Sequence, residues 1–360
     1  MRDRVSQREV EVKGKMVSVG VDVHKRSWTV TVMVEGAEVV SVSCPPEYRT
    51  LKKLLDRFKE GQIQVAYEAG PGGFVLYDQL VADGIDCVVT PPSLIPTEVG
   101  NKVKTDRRDS HKLARLLEAN LLKRVWVLSP QERCHRQLVR TRRQIVHHRA
   151  DVMKQIKSLL WFNGVEVTMR SGRPWTQVYL DHLRGLELED QNLKSSLDTL
   201  LDLLEFLTDQ SKGLTQQIRE LSQEEKYRKS VELLVTIPGM GILSAMEILV
   251  ELQDIRRFHR ADQLAAYLGL TPSQYSSGEH IRMGSITHTG NERVRSTLVE
   301  CSWWVIAKDL GMREKYDQLK HRRGAKRAIV AIARILSLKI RRMLLDEVNY
   351  QYRQPQRLAS

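Results

Sequence analysis

The stretch that decides the fold is MVSVGVDVHKRSWTVTVMVEGAEVVSV, residues 16–42. It holds three short valine-rich runs, Met16–Val23, Trp28–Val34 and Glu38–Val42, which polar or turn-like residues separate. β-Branched residues in short runs between turns are typical of β-strands, and three such runs in succession indicate an antiparallel meander. We therefore expect the folded part of the chain to begin with three sheet-forming strands.

Alternating helix and strand patterns follow the meander. They predict the order helix, strand, helix, strand, helix over Tyr48–Phe58, Ile63–Tyr67, Phe74–Val81, Ile85–Val89 and Ser110–Asn120. Three strands followed by this alternation predict a mixed-sheet α/β domain with the topology of the ribonuclease H-like superfamily. A doubly wound nucleotide-binding domain would alternate from its start and would place G-x-G-x-x-G after its first strand, where this chain has Val-Asp-Val-His-Lys.

The middle third of the chain, residues 130–230, has helical patterns nearly throughout. Gln137–Phe162 is predicted to form a long basic helix, and Leu193–Leu221 a second one. Leucines repeat in the second helix at heptad-like spacing: Leu193, Leu197, Leu200, Leu204, Leu207, Leu214 and Leu221. About four heptads predict a helical hairpin or a coiled coil, and an ordinary helical bundle is an equal alternative.

The last third combines helices with a polar loop. Ile237-Pro-Gly-Met-Gly241 precedes a predicted helix, Ser244–Leu252, and resembles a helix-hairpin-helix turn, in which glycines let backbone N–H groups approach a phosphate. A plain turn between helices is the alternative. Mostly helical structure is also predicted over Asp262–Leu268 and Glu292–Tyr350, with a Ser-, Thr- and Gly-rich loop, Gly269–Asn291, between them.

The charge balance favours a polyanionic partner. The 360 residues include 57 Lys and Arg against 44 Asp and Glu, a net charge of +13. Residues 133–173 hold ten basic and two acidic side chains, and residues 313–357 hold thirteen and four. Because positive charge is concentrated rather than spread for solubility, nucleic-acid binding is expected.

Cysteine spacing and hydropathy indicate a cytoplasmic protein without a membrane span. Cys44, Cys87, Cys134 and Cys301 form no C-x-x-C pair, so reduced thiols are expected rather than a zinc site or disulfides. The chain has no uninterrupted run of about 18 apolar residues. Residues 1–15 are charged and lack the apolar stretch of a signal peptide.

Four carboxylates lie at the ends of predicted elements. Asp22 ends the first strand, Glu68 ends the fourth strand, and Asp106 and Asp109 begin the last helix of the α/β domain with i, i+3 spacing. In a ribonuclease H-like sheet the first and fourth strands are neighbours, so the four should converge. Hard cations such as Mg²⁺ take oxygen ligands. Either helix Asp alone could be a cap, but Asp22 interrupts an apolar strand, which costs stability unless it serves a purpose.

The polar loop holds candidate nucleophiles. Its serines and basic residues are Ser273, Ser276, Ser277, Ser285, Arg282 and His288. A hydroxyl beside cations can attack phosphorus, whereas the composition alone is typical of a solvated loop. Chemistry does not rank the serines, and the segment has no G-x-S-x-G elbow of a hydrolase.

Short motifs, in order along the chain, match a known family. Gly20-Val-Asp-Val-His-Lys25, Tyr67-Glu-Ala-Gly-Pro71 and Lys104-Thr-Asp-Arg-Arg-Asp109 resemble the DEDD motifs of the IS110 and IS1111 insertion-sequence transposases. Four further segments resemble the C-terminal transposase domain of the same family: Ile237-Pro-Gly-Met-Gly241, Tyr267-Leu-Gly-Leu-Thr-Pro272, Ser276-Ser-Gly278 and Gly284-Ser-Ile-Thr-His-Thr-Gly-Asn291. The resemblance spans residues 16 to 345.

The resemblance implies a composite catalytic apparatus. A RuvC-like domain would hold Mg²⁺ through Asp22, Glu68, Asp106 and Asp109, and a coiled coil would join it to a domain with a catalytic serine. The resemblance implies that this serine would attack DNA and form a phosphoserine link.

The serine that matches the family motif is Ser277, and Ser276 is its near rival because both precede Gly278. His288 stands where the family usually has Lys, which would weaken one phosphate contact.

The resemblance also implies partners and domain boundaries. The expected partners are donor and target DNA, a structured noncoding bridge RNA that guides recombination, and further copies of the chain in a dimer to tetramer. The expected divisions are an arm (1–15), a RuvC-like DEDD domain (16–125), a helical or coiled-coil linker (126–230), a C-terminal transposase domain (231–350) and a tail (351–360). The residues expected to bind nucleic acid are Arg140, Arg142, Arg143, Arg149, Arg282, His288, Arg322, Arg323, Lys326 and Arg327.

Three functions stay open at this point. The first is a DNA transposase or recombinase with Ser277 as nucleophile. The second is a RuvC-like metal-dependent nuclease that uses water, with a C-terminal domain that only binds DNA. The third, a nucleic-acid-binding protein without chemistry, is disfavoured by Asp22 in its apolar strand.

Overall fold

The computed structural model describes residues 11–96, 105–167, 174–277, 280–287 and 289–352, with the backbone alone for residues 275–277 and 280–283. The chain divides into two compact units, Met1–Leu128 and Ser129–Ser360. The finer division predicted for residues 126–360 stays a prediction.

The first unit is built on a five-stranded mixed sheet. Strands β1 to β5 are Met16–Val23, Trp28–Val34, Ala37–Cys44, Gln62–Glu68 and Asp86–Thr90. Their order is β3-β2-β1-β4-β5; β1 pairs antiparallel with β2 and parallel with β4. Helices α1 to α3 are Tyr48–Leu55, Val75–Ala82 and Asp106–Glu118. The predicted mixed α/β fold is confirmed.

Different helices cover the two faces of this sheet. Val19 of β1 is fully buried in a core shared with Leu51 of α1 and Leu80 of α2. On the opposite face, a Cβ at Gly20 would lie 2.0 Å from the carbonyl oxygen of Ser110 in α3. Because only glycine permits this approach, α3 lies directly on β1 and its first turn sits beside the carboxyl end of that strand.

Helix α3 begins one turn earlier than the predicted Ser110. Its first residue is Asp106, and its N-cap is Thr105, whose Oγ1 accepts a hydrogen bond from the backbone N–H of Arg108 at 3.4 Å. The apolar periodicity that reveals a helix starts only at Leu113, so the polar first turn carried no signal. The alternative that Asp106 or Asp109 caps this helix is wrong.

The second unit is mostly helical. Helices α4 to α8 are Pro130–Phe162, Gln177–Arg184, Gln191–Ser222, Glu225–Leu234 and Ile242–Leu252. Helices α9 to α12 are Ala261–Tyr267, Glu292–Lys308, Leu310–Arg323 and Ala325–Asp346. In the part of the chain that the structure describes, no helix is both long and apolar enough to cross a bilayer.

Helices α4 and α6 form an antiparallel pair within one chain. Val139, near the start of α4, shares a core with Ile218 near the end of α6, whereas Ile156 later in α4 packs with Leu201 earlier in α6. The leucines at heptad-like spacing therefore contribute to packing within a helical hairpin of one chain. A coiled coil between chains stays a prediction.

The segment expected to be a loop, Gly269–Asn291, contains a β-hairpin. Its strands are β6, Pro272–Ser277, and β7, His280–Ile286. The segment is rich in Ser, Thr and Gly, and the alternation of Ile281 and Met283 with polar residues is too short to predict a strand. The hairpin base is tightly held: a Cβ at Gly269 would lie 1.9 Å from the carbonyl oxygen of Thr289.

Candidate functional site

The sheet brings two predicted carboxylates to one edge. Val21 of β1 pairs with Tyr67 of β4 in parallel register, so Asp22 and Glu68, each one residue further on, lie side by side. Ala66 of β4 packs with the α3 face of the sheet. Because side chains alternate along a strand, Glu68 and Asp22 point to that same face.

A third carboxylate and a histidine join Asp22. The His24 Nε2 lies 3.0 Å from Asp22 Oδ2 and 3.7 Å from Asp106 Oδ1. Ligand atoms of Asp22, His24 and Asp106 all lie within 4.8 Å of one another. Sequence reasoning did not select His24; its signal was the Asp-x-His spacing, which places two polar side chains on one side of an extended segment.

The electrostatics of Asp22 suit a cation. Burial raises the pKa of this carboxyl, the nearby Asp106 and Asp109 raise it further, and His24 opposes both effects. The Asp22 side chain is only 14% exposed. A bound divalent cation would relieve the crowding of negative charge, and carboxylate oxygens are the ligands that hard cations take. The residues present therefore fit a metal site.

Asp109 and Glu68 are placed by their elements. Asp109 is in the first turn of α3, three residues after Asp106, and its charge contributes to the raised pKa of Asp22. Glu68 is the last residue of β4. The structure thus places Asp22 and Asp106 close enough to share a metal ion. The charge of Asp109 acts on Asp22, and Glu68 lies at the same edge of the sheet.

A cavity of about 1330 Å³ opens beside His24. It is lined by Lys25, Arg49, Lys52 and Lys53 and by fewer acidic side chains. These cations come from two separate segments, so no local charge run pointed to them. Lys52 pairs with Asp56 at 3.1 Å and with Asp83 at 3.6 Å, and Lys25, Arg49 and Lys53 add further positive charge to the cavity lining.

The serine-bearing hairpin belongs to the second unit. Ser277 ends β6 and pairs with His280, and Ser276 pairs with Ile281. Arg282 lies in β7, and His288 lies outside the described residues.

Another serine of the segment has a structural partner. The hydroxyl of Ser273 donates a hydrogen bond to the carbonyl oxygen of Ser285 at 3.1 Å. A Cβ at position 284 would lie 2.2 Å from that hydroxyl, which explains why Gly284 stands opposite. Ser273 is therefore engaged in holding the two strands together.

Three of the arginines expected to bind nucleic acid are engaged inside the second unit. Arg140 pairs with Glu251, and Arg143 pairs with Glu247. The Arg142 Nε donates to Thr215 Oγ1 at 3.1 Å. These contacts give the arginines of α4 a structural role that sequence reasoning missed, because their partners lie 73 to 111 residues away. Arg149, further along α4, is half-exposed.

The other expected basic residues form an exposed corner. Arg322 and Arg323 end α11, and Lys326 and Arg327 lie in the first turn of α12, all four exposed to solvent. Gly324 between the helices has a φ of +80°. Four exposed cations around one tight corner form the basic surface defined here as the α11–α12 corner.

The turn before α8 contains a glycine in the left-handed backbone region, and both interpretations of its sequence, a phosphate-binding turn and a plain turn, stay predictions. Gly239 has a φ of +77°, and a Cβ there would lie 2.3 Å from the Cβ of Trp304. The turn, Ile237–Gly241, lines a surface cavity together with Trp304, whose side chain is 59% exposed. A backbone turn open to solvent can approach a phosphate.

Comparisons with known proteins agree in both units. Residues 19–162 match the family model DEDD_Tnp_IS110, described as "Transposase", and residues 231–317 match one described as "Transposase IS116/IS110/IS902 family". "Putative transposase y4qE" of Sinorhizobium fredii is 32% identical, over 79% of this chain and 70% of its own length. The transposase for insertion sequence element IS1533 of Leptospira borgpetersenii is 25% identical, over 67% of this chain and 71% of its own. The transposase for IS1111A of Coxiella burnetii is 26% identical, over 75% and 74%.

Proposed function

The chain belongs to the IS110/IS1111 family of insertion-sequence transposases, and from this premise we propose that it cuts and rejoins donor and target DNA through a phosphoserine intermediate. The proposed metal ligands are Asp22, Glu68, Asp106 and Asp109, and the proposed nucleophile is Ser277. The observation that carries the proposal is the meeting of Asp22, Asp106 and Asp109 at the carboxyl end of β1.

A DEDD transposase domain implies dependence on a divalent metal. We propose Mg²⁺, because carboxylate oxygens, which the four acidic side chains supply, are ligands that this ion prefers. Such an ion, when bound, stabilises negative charge on phosphate oxygens. Asp106 and Asp109 supply their carboxylates from one helix turn, which α3 fixes against Gly20.

Ser277 is proposed to attack the DNA backbone. Its Oγ would form a bond to phosphorus while the bond from phosphorus to the leaving strand oxygen breaks. The strand hydroxyl that is released, or that of another strand, can then attack the phosphoserine and reseal the backbone. Because one ester replaces another at each step, rejoining needs no external energy source. The match of Ser276-Ser-Gly278 to the family's serine motif supports this role.

Basic and turn surfaces are proposed to hold the nucleic acids. The exposed α11–α12 corner and the glycine turn Ile237–Gly241 would contact phosphates, as would Arg149, Arg282 and His288. A structured bridge RNA that pairs with donor and target DNA, and assembly as a dimer to tetramer, belong to the same proposal.

A trapping experiment tests the serine. The full chain, Ser277→Ala and Ser276→Ala are each incubated with labelled donor DNA, the co-purified RNA and Mg²⁺, then denatured. A covalent protein–DNA adduct is expected for the full chain and Ser276→Ala, and none for Ser277→Ala. Cleaved DNA without any adduct would instead favour a RuvC-like nuclease that uses water. Asp22→Asn, which keeps the side-chain shape, is expected to abolish cleavage while DNA binding persists.

A further inference from the structure

We propose that the Nε2 of His24 is a ligand of the same metal ion, so that this site has a mixed nitrogen and oxygen ligand set. The inference rests on the proposed metal role of Asp22 and Asp106. It adds a residue outside the four carboxylates, and it raises the affinity of the site for Mn²⁺ and Co²⁺ relative to Mg²⁺.

The distances around His24 carry the proposal. Ligand atoms that share an ion at about 2.1 Å lie roughly 3.0 Å apart at adjacent octahedral positions and roughly 4.2 Å apart at opposite ones. Nε2 lies 3.0 Å from Asp22 Oδ2 and 3.7 Å from Asp106 Oδ1, and all three ligand atoms fall within 4.8 Å. The two distances from Nε2 fall in this range, so the imidazole can share an ion with either carboxylate.

The backbone holds the imidazole at this place. The last β1–β2 pair is Val23 with Trp28, and the backbone N–H of His24 donates to the carbonyl oxygen of Ser27 at 3.2 Å. His24 thus stands on a tight turn, directly after the strand that carries Asp22. Its side chain is 54% exposed, so an ion and its water ligands can reach Nε2.

The chemistry of the ligand sets the expected preference. Imidazole nitrogen suits later first-row divalent ions, whereas carboxylate and water suit Mg²⁺. A site with one imidazole should therefore bind Mn²⁺ and Co²⁺ more tightly, relative to Mg²⁺, than the same site without it. Loss of one ligand is expected to lower Mn²⁺ affinity by about tenfold and Mg²⁺ affinity by less.

The test is electron spin-echo envelope modulation of Mn²⁺ added to the full chain, paired with Mn²⁺ and Mg²⁺ binding isotherms. Four proteins are compared: the unchanged chain, His24→Asn, His111→Asn and Asp22→Asn. His111 is the matched control, because it is another partly exposed histidine of the same unit, near Glu38 rather than the cluster. Modulation from a directly coordinated ¹⁴N is expected in the unchanged chain and in His111→Asn, and its loss in His24→Asn.

The outcomes separate the inference from the proposed function. Mn²⁺ binding that Asp22→Asn abolishes, without nitrogen modulation in the unchanged chain, overturns the role of His24 and leaves the carboxylate site standing. Mn²⁺ binding that is the same in Asp22→Asn overturns both. Nitrogen modulation that persists in His24→Asn also overturns the inference, because the nitrogen would then come from another residue.

Discussion

Removal of the Glu251 carboxylate should destabilise the second unit strongly. Glu251 lies in α8 and its side chain is 1% exposed. The Arg140 Nε and Nη2 donate to its two oxygens at 2.6 and 2.8 Å, and the Asn291 Nδ2 donates to Oε2 at 2.8 Å. This Glu251 network (Glu251, Arg140 and Asn291) ties α4 and α8 to the residue that caps α10.

The size of the effect follows from what the substitution leaves behind. Glu251→Ala would leave the Arg140 guanidinium, 28% exposed, without its buried partner. Removing one member of a buried ion pair costs about 3–5 kcal/mol, because the other charge stays uncompensated. Partial access of water to Arg140 favours the lower end, so we expect about 3 kcal/mol. The double variant Glu251→Leu/Arg140→Met should lose much less than Glu251→Ala, since it leaves no isolated charge.

Hydrogen exchange followed by mass spectrometry on the full chain is the suitable assay, because two units need not unfold together. Backbone amides of α8 and of the start of α10 should exchange about a hundredfold faster in Glu251→Ala, with those of β1 and β4 unchanged. Asp209→Asn is the control, as it breaks a pair with Lys212 in which both side chains are more than 70% exposed. A change in α8 no larger than in the control would refute the reasoning.

Acid should weaken the Glu251 network. Burial alone would raise the pKa of Glu251, but Arg140 and Asn291 lower this pKa below its ordinary value of 4.5. The ionised carboxylate therefore stabilises the fold above pH 4.5, and this stabilisation is lost as the pH falls through the lower pKa of the folded state. Urea midpoints of the second unit measured from pH 6 to pH 3 should therefore fall, and fall less in Glu251→Gln. Gly20→Ala would put a Cβ 2.0 Å from the Ser110 carbonyl oxygen, and is expected to cost about 1–3 kcal/mol and to weaken Mn²⁺ binding by displacing α3; unchanged binding would contradict this. Arg323→Ala should reduce the salt dependence of DNA binding by about one phosphate contact without lowering the melting temperature, whereas Arg143→Ala should mainly lower that temperature.

The strands of the first unit could be predicted because the residues of each strand favour β-structure by themselves. Valine-rich runs between turns leave little alternative to strands, and β1 and β2 match their predicted bounds. The first turn of α3 was missed because it is polar and carries no apolar periodicity. The hairpin β6–β7 was missed because Ser, Thr and Gly dominate its segment and the apolar alternation at Ile281 and Met283 is short. The close approach of Gly269 to Thr289 holds the base of the hairpin in place.

The candidate site was predictable where topology alone decides it. Parallel neighbours end at the same sheet edge, so Asp22 and Glu68 could be paired before any coordinates. His24 could not, because its contribution depends on a turn geometry that brings Nε2 toward Asp106. A histidine beside a lysine in sequence resembles an ordinary solvated pair.

A count of charges along the sequence does not distinguish paired cations from solvated ones. Residues 133–173 hold ten basic and two acidic side chains, yet Arg140 and Arg143 are neutralised by Glu251 and Glu247 of α8. A local count cannot register partners a hundred residues away, so it overstates the free charge of α4. In the α11–α12 corner the arginines and lysines are exposed on two short helix ends. Since only solvated cations release counterions from DNA, the corner rather than α4 should dominate the salt dependence of binding.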